Sequence, residues 1–198
     1  MSERRLLPLL DAPPPERRDA ARNRVALLDA AARLVAQHGA TGVTMDAVAA
    51  EAGVGKGTVF RRFQSREGLM GALLNHSETD WQASVMSGPP PLGPGAEPWD
   101  RLLEFGRSRL ETTLLHAELI RAAGRAGTRS YAAYSFSVLH VRYLLHELGV
   151  TGDLPLLAVA LLAPLEAPVL DQQVSVDGFH RERVYAGWVD LAGRIVGR

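Results

Sequence analysis

The chain has no cysteine, and only one of its 22 basic residues, Lys56, is a lysine. Without a thiol there are no disulfides, no thiolate metal sites and no cysteine nucleophile. The preference for Ala, Arg and Gly over lysine fits a GC-rich genome. Net charge is also missing, because 22 Lys and Arg balance 22 Asp and Glu. That balance argues against a protein coated in nucleic acid and leaves room for a local footprint. Residues 1–75 hold 11 Lys and Arg against 8 Asp and Glu, whereas residues 76–198 hold 11 against 14. The positive field therefore lies in the first part. No stretch alternates with period two for long enough to form a strand, which predicts an all-α fold. The N-terminus has arginines without a following apolar segment, so no signal peptide is read there. The most apolar run, Leu154 to Leu170, is interrupted by Pro155, Pro164, Glu166 and Pro168. It reads as too short and too broken for a membrane span. A soluble cytoplasmic protein is expected. There is no Gly-x-Ser-x-Gly, phosphate loop or metal-spaced cluster, so neither an enzyme nor a metal or cofactor site is expected.

What the chain does have is concentrated between Thr44 and Phe63, where the layout is that of a helix-turn-helix. Thr44 can cap a helix by accepting a bond from an otherwise unpaired amide, and Asp46 sits where the helix dipole favours negative charge. Met45, Val48, Ala49 and Ala52 share one inward face. Gly53 ends that helix and Val54 plugs the turn. A second short helix follows from about Gly55 to Phe63, with Val59 and Phe63 inward. Lys56, Gly57, Thr58, Arg61 and Arg62 are left facing out. Lysine and arginine bond guanine edges or phosphates, and the threonine hydroxyl suits base or backbone. Gly57 lets the backbone approach a groove wall.

The stretch from about Arg24 to Leu74 resembles the N-terminal domain of TetR-family transcriptional repressors. The resemblance is carried by Gln37-His38-Gly39, Thr41 to Met45, Ala47-Val48-Ala49, Ala52 to Phe60, Phe63 and Ser65 to Leu69. It covers about 50 residues and implies DNA contacts at Thr44, Gly55, Lys56, Gly57, Thr58, Phe60, Arg61, Arg62 and Arg66. Phe60 stands where the family commonly has a tyrosine that bonds phosphate, and that bond is lost. Arg62 replaces a common histidine, and Gly55 a frequent serine or threonine.

Along the chain, residues 1–18 read as a flexible basic arm around Arg4, Arg5, Arg17 and Arg18, broken by Pro13, Pro14 and Pro15. Residues 19–75 read as the DNA-binding domain and 76–198 as a helical regulatory and dimerisation domain. A first helix is expected from Asp19 to His38, with Leu27, Ala31, Leu34 and Val35 inward and Gly39 as its stop. A fourth is expected after Ser65 towards Met86, then a proline-rich loop over 87–98. Helices should follow at Trp99 to Leu115, Glu118 to Ala123 and Ser130 to Leu148. Leu154 to Leu170, apolar nearly all round, should be buried on several sides. Val184, Trp188, Leu191 and Ile195 form the stripe of a last helix.

The resemblance implies a homodimer through the C-terminal helices, a palindromic double-stranded DNA operator and a small-molecule inducer. Trp81, Phe105, His116, Tyr131, Tyr134, Phe136, His140 and Tyr143 are the candidate pocket residues. Phe105, Tyr131, Tyr134, His140 and Tyr143 are preferred, because near-helical spacings bring them to overlapping faces. No charged cluster pointing to a charged ligand is legible. The competing reading is a small helical enzyme or ligand-binding protein with a vestigial helix-turn-helix.

Overall fold

The computed structural model describes residues 15–122 and 131–198, with side chains described over 22–122 and 134–198. Arg4, Arg5 and the side chains of Arg17 and Arg18 fall outside that set, as do Gly124 and Ser130. The described residues are helical, with no strand among them. The chain divides into two compact units, one ending at Ser65 and the other beginning at Arg66.

The first unit contains α1 (Pro15–Gly42), α2 (Met45–Glu51) and α3 (Lys56–Phe63). Helix α1 starts four residues before Asp19, because proline is tolerated in a first turn whose amides are unpaired anyway. Its helical geometry breaks at Gly39, at φ 70°. Thr44 caps α2, its Oγ1 accepting from the Ala47 amide at 3.1 Å. Gly53 makes the turn at φ 65°, a conformation that side chains with a Cβ resist. Leu27, Leu28, Leu34, Val43, Met45, Val48, Ala49, Val59 and Phe63 are all buried and supply the apolar interior of this unit. Ala52 is only half-buried.

The second unit opens with α4 (Arg66–Ser87), α5 (Pro98–Ala122) and α6 (Tyr131–Glu147). Then come α7 (Leu154–Leu162), α8 (Ala167–Asp171) and α9 (Arg181–Val196). Helix α5 packs on α4, α6, α8 and α9, and α6 packs on α7. The break expected near Glu118 does not form, since neither Gly nor Pro interrupts α5 after Gly106.

The apolar run departs furthest from expectation. A 3₁₀ turn at Ala163–Leu165 and the extended Glu166 interrupt it, in keeping with Pro164 and Pro168, and a π-type turn at Gln172–Val176 follows it. It is not enclosed. Leu156 is 65% and Val169 39% exposed, and only 28% of the most apolar 18-residue window is buried. Nor is the segment too short, because Leu154–Val176 spans 23 residues and holds an 18-residue window of mean hydropathy 1.7, which meets the length and composition of a membrane crossing. What argues against a span is the broken helical geometry, which frees backbone groups that lipid cannot satisfy.

Two packing details generate tests. Gly106 on α5 lies directly under the Trp188 ring of α9, and the indole N–H is tied to the Leu161 carbonyl at 2.8 Å. A Cβ at position 106 would overlap that ring. Gly106→Ala should cost about 1–3 kcal/mol by overpacking, read as a lower urea midpoint with altered Trp188 fluorescence. His140 on α6 is 8% exposed, its ring stacked on Phe105 at 5.3 Å. Burial, aided by the Arg101 charge, pushes its pKa down from 6.5 to about 4. The folded chain keeps His140 neutral while the unfolded chain takes up a proton below pH 6.5. Its stability contribution is thus complete above pH 6.5 and is lost between 6.5 and 4. Between pH 7 and 5 the wild type should lose about 2 kcal/mol more than His140→Phe. Equal losses in urea melts at the two pH values would remove His140 as the cause.

Candidate nucleic-acid interface and regulatory core

The α2–turn–α3 segment is closed by backbone bonds from Ala52 to Val48, Gly53 to Ala50 and Val54 to Ala49. With Val59 and Phe63 buried on α3, the opposite face is left to solvent. Gly55, Lys56, Gly57, Arg61 and Arg62 are exposed there, Phe60 is 43% exposed, and Thr58 is half-buried. The Lys56 ammonium pairs with Asp46 Oδ2 at 2.7 Å and stands 6.0 Å from the Phe60 ring centroid. Asp46 thus does more than meet the helix dipole, because it holds the lysine at the start of α3. A Cβ added at Gly55 or Gly57 would meet nothing within 4 Å, so no contact inside the protein accounts for glycine at either position. Thr44 also faces solvent, its hydroxyl committed to the α2 cap. Arg66 belongs to the second unit, where its Nη1 donates to the Ala122 carbonyl at the end of α5 at 3.4 Å.

In the second unit the structure gathers some of the expected pocket residues and separates others. Trp81, Phe105, Phe136 and His140 form one aromatic cluster, with centroid separations of 5.3 Å for Trp81–Phe105, 6.0 Å for Trp81–Phe136 and 6.2 Å for Phe136–His140. Tyr143 stands at its rim, its ring centroid 6.3 Å from that of His140. Its side chain is 47% exposed, since three residues on from His140 is about 60° round the helix. Tyr134 is half-buried, and the Tyr131 side chain lies outside the described residues. A cavity of about 270 Å³ lies elsewhere, lined by Leu165, Phe179, Val184, Trp188 and Leu191 with Arg183 at its edge.

A charged cluster is present, contrary to the sequence reading. Arg109 of α5 is 1% exposed, and its Nη1 donates to Glu78 Oε2 of α4 at 3.0 Å. The Arg109 guanidinium lies 4.6 Å from the Trp81 ring centroid. His116 Nδ1 is 3.5 Å from the same Glu78 oxygen, and its Nε2 is hydrogen-bonded to Ser77 Oγ at 2.8 Å. Burial alone raises the pKa of Glu78. The Arg109 charge, hydrogen bonds from Gln82 and Arg109, and the His116 charge outweigh it and hold the carboxyl below its ordinary range. The signal for Arg109 was available in the sequence: it occupies an inward position in the series Leu102, Phe105, Arg109, Thr113 and His116.

Residues 27–73 match the family model for bacterial regulatory proteins of the tetR family. No curated protein matches the sequence. Among solved structures, one assigned to the TetR-family regulators, from Mesorhizobium loti, is 20% identical with a TM-score of 0.59, over 90% of this chain and 95% of that one. A TetR-family regulator from Pectobacterium atrosepticum is also 20% identical at a TM-score of 0.59, over 88% and 92%. The multidrug binding protein EbrR complexed with ethidium is 27% identical at a TM-score of 0.53, over 85% and 97%. At such identities the first two establish the fold alone. Residues 27–73 are thus similar to the N-terminal domain of tetR-family regulatory proteins, and the chain as a whole has the fold of solved TetR-family transcriptional regulators.

Proposed function

We propose that this chain is a sequence-specific, DNA-binding repressor that acts in the cytoplasm as a homodimer and leaves a palindromic operator when a small molecule binds. The observation that carries the DNA role is the solvent face of α3, where Lys56, Arg61 and Arg62 surround a Gly57 whose missing side chain nothing in the protein explains. Lys56, Thr58 and Arg61 are assigned to the groove and Arg62 to phosphate, with the Gly55 and Gly57 backbone close to the DNA. Phe60 supplies no phosphate bond but lies beneath the lysine. Thr44 and Asp46 orient the face, one as cap and the other as the lysine's partner. Arg66, engaged with Ala122, is left out of the contact set.

The dimer reading is supported by the apolar surface that α7 and α8 leave open at Leu156, Val159 and Val169. A second copy covers such a surface economically, and a two-fold axis sets two recognition helices on major-groove faces about 34 Å apart. The ligand reading is supported by the likeness to EbrR, whose solved complex holds ethidium. Release then follows from differential affinity. A ligand that binds better to the conformation unsuited to the operator lowers operator affinity by that difference.

Lys56→Ala should weaken operator binding and, if Lys56 is on phosphate, flatten log K against log salt by about 0.9. A relaxed base preference at unchanged slope would move Lys56 to base readout. Asp46→Asn should tighten binding to non-operator DNA, because it frees the ammonium and removes a carboxylate from the face. Gly57→Ala should raise thermal stability by up to about 1 kcal/mol through helix propensity while weakening operator binding. Wild-type affinity in Gly57→Ala would dismiss the close backbone approach. Absence of any salt-sensitive, sequence-selective binding to genomic fragments would overturn the DNA role itself.

A further inference from the structure

On α5, Phe105, Arg109, Thr113 and His116 follow one another at spacings of four, four and three, which puts them on one helix face. Opposite them α4 presents Ser77, Glu78 and Trp81, and α6 contributes Phe136 and His140. At the centre is the Arg109 guanidinium, 4.6 Å from the Trp81 ring centroid and 3.0 Å from the Glu78 carboxylate. A ring face and a carboxylate are the two groups that recognise an organic cation. Burying such a pair contributes little net stability compared with apolar packing, so stability alone does not account for it.

The surroundings narrow the chemistry. Trp81, Phe105, Phe136 and His140 form a contiguous aromatic wall. His140 is neutral near pH 7, so it does not repel a cation. Thr113 Oγ1, one turn along α5 from Arg109, is buried and has no hydrogen-bond partner among the described residues. An N–H on a ligand would satisfy it. A cation that displaces Arg109 keeps the Glu78 charge compensated. A neutral ligand would strand the carboxylate, and an anion would meet it head-on.

We propose that Glu78, Trp81 and the rings around them recognise a flat aromatic cation bearing an N–H donor, and that Arg109 is the internal cation occupying this site in the ligand-free chain. The proposal rests on reading the second unit as ligand-binding and goes further by naming the ligand class and the competitor it displaces. The pair bridges α4 and α5, so exchanging Arg109 for a ligand cuts a side-chain tie between the helix that follows Ser65 and its neighbour.

The test is an ethidium fluorescence titration of the full chain without DNA, with neutral phenanthridine as control. Wild type should bind ethidium and discriminate against phenanthridine. Arg109→Met removes the internal competitor and should bind ethidium at least tenfold more tightly, with a larger thermal shift on ligand addition. Glu78→Gln should bind at least tenfold more weakly than wild type. Should either single variant fail to fold, the double Glu78→Gln/Arg109→Met variant, which has no unpaired buried charge, should fold and lose the preference for ethidium over phenanthridine. Trp81→Leu, which keeps the ion pair, should lose the same preference. Equal binding of the neutral and charged probes by wild type, or no gain in Arg109→Met, would overturn the proposal. Operator release is read separately with benzamidinium, a flat aromatic cation that bears N–H donors and is too small to intercalate. Cation binding without release would leave the site standing and overturn the ligand-release reading.

Discussion

A helix of eight residues does not hold itself together in water, because nucleation costs more than so few backbone bonds return. Everything asked of α3 therefore depends on Val59 and Phe63 staying buried in the first unit. Those two side chains fix the rotation of the helix about its axis. The directions of Lys56, Gly57, Arg61 and Arg62 follow from it. The Gly53 turn and the Thr44 cap serve the same end, since they set the start of α3 relative to α2. The functional face is thus specified from behind, by residues that have no part in recognition.

This explains why the first unit was readable from sequence and the second much less so. Cap, glycine turn and inward stripe are local signals, each decided within a few residues, and Gly39, Thr44, Gly53, Val59 and Phe63 all take the places such signals assign. In the second unit the elements were visible but their relations were not. Helix α5 is unbroken where two segments were expected. Trp81, Phe105, Phe136 and His140 meet although they come from three helices, whereas Tyr143, 6.3 Å from His140 on the same helix, stays about half in solvent. The Asp46–Lys56 pair was missed for a related reason, because it crosses from the start of α2 to the start of α3.

Arg109 shows the same limit in energetic terms. Its inward position was legible from helical spacing, but its partner Glu78 lies 31 residues away on α4. A guanidinium with almost no solvent contact persists only if a carboxylate and a ring face replace its lost hydration. Glu78 and Trp81 do so from a single turn of α4, which ties the register of α4 to that of α5 more tightly than apolar side chains can. Apolar packing tolerates small slides along a helix, whereas a buried charge pair does not.

The scarcity of lysine has a covalent consequence. Lys56 is the only side-chain amine in the sequence, and it stands exposed at the start of α3. Any reagent or enzyme that acylates lysine side chains therefore has one target, whatever the rest of the surface offers. Acylation there removes the positive charge, releases Asp46 and places a bulky neutral group beside Phe60. Twenty-one arginines stay unaltered by that chemistry. Lysine modification of this protein is thus, by composition alone, a modification of its proposed DNA-binding face.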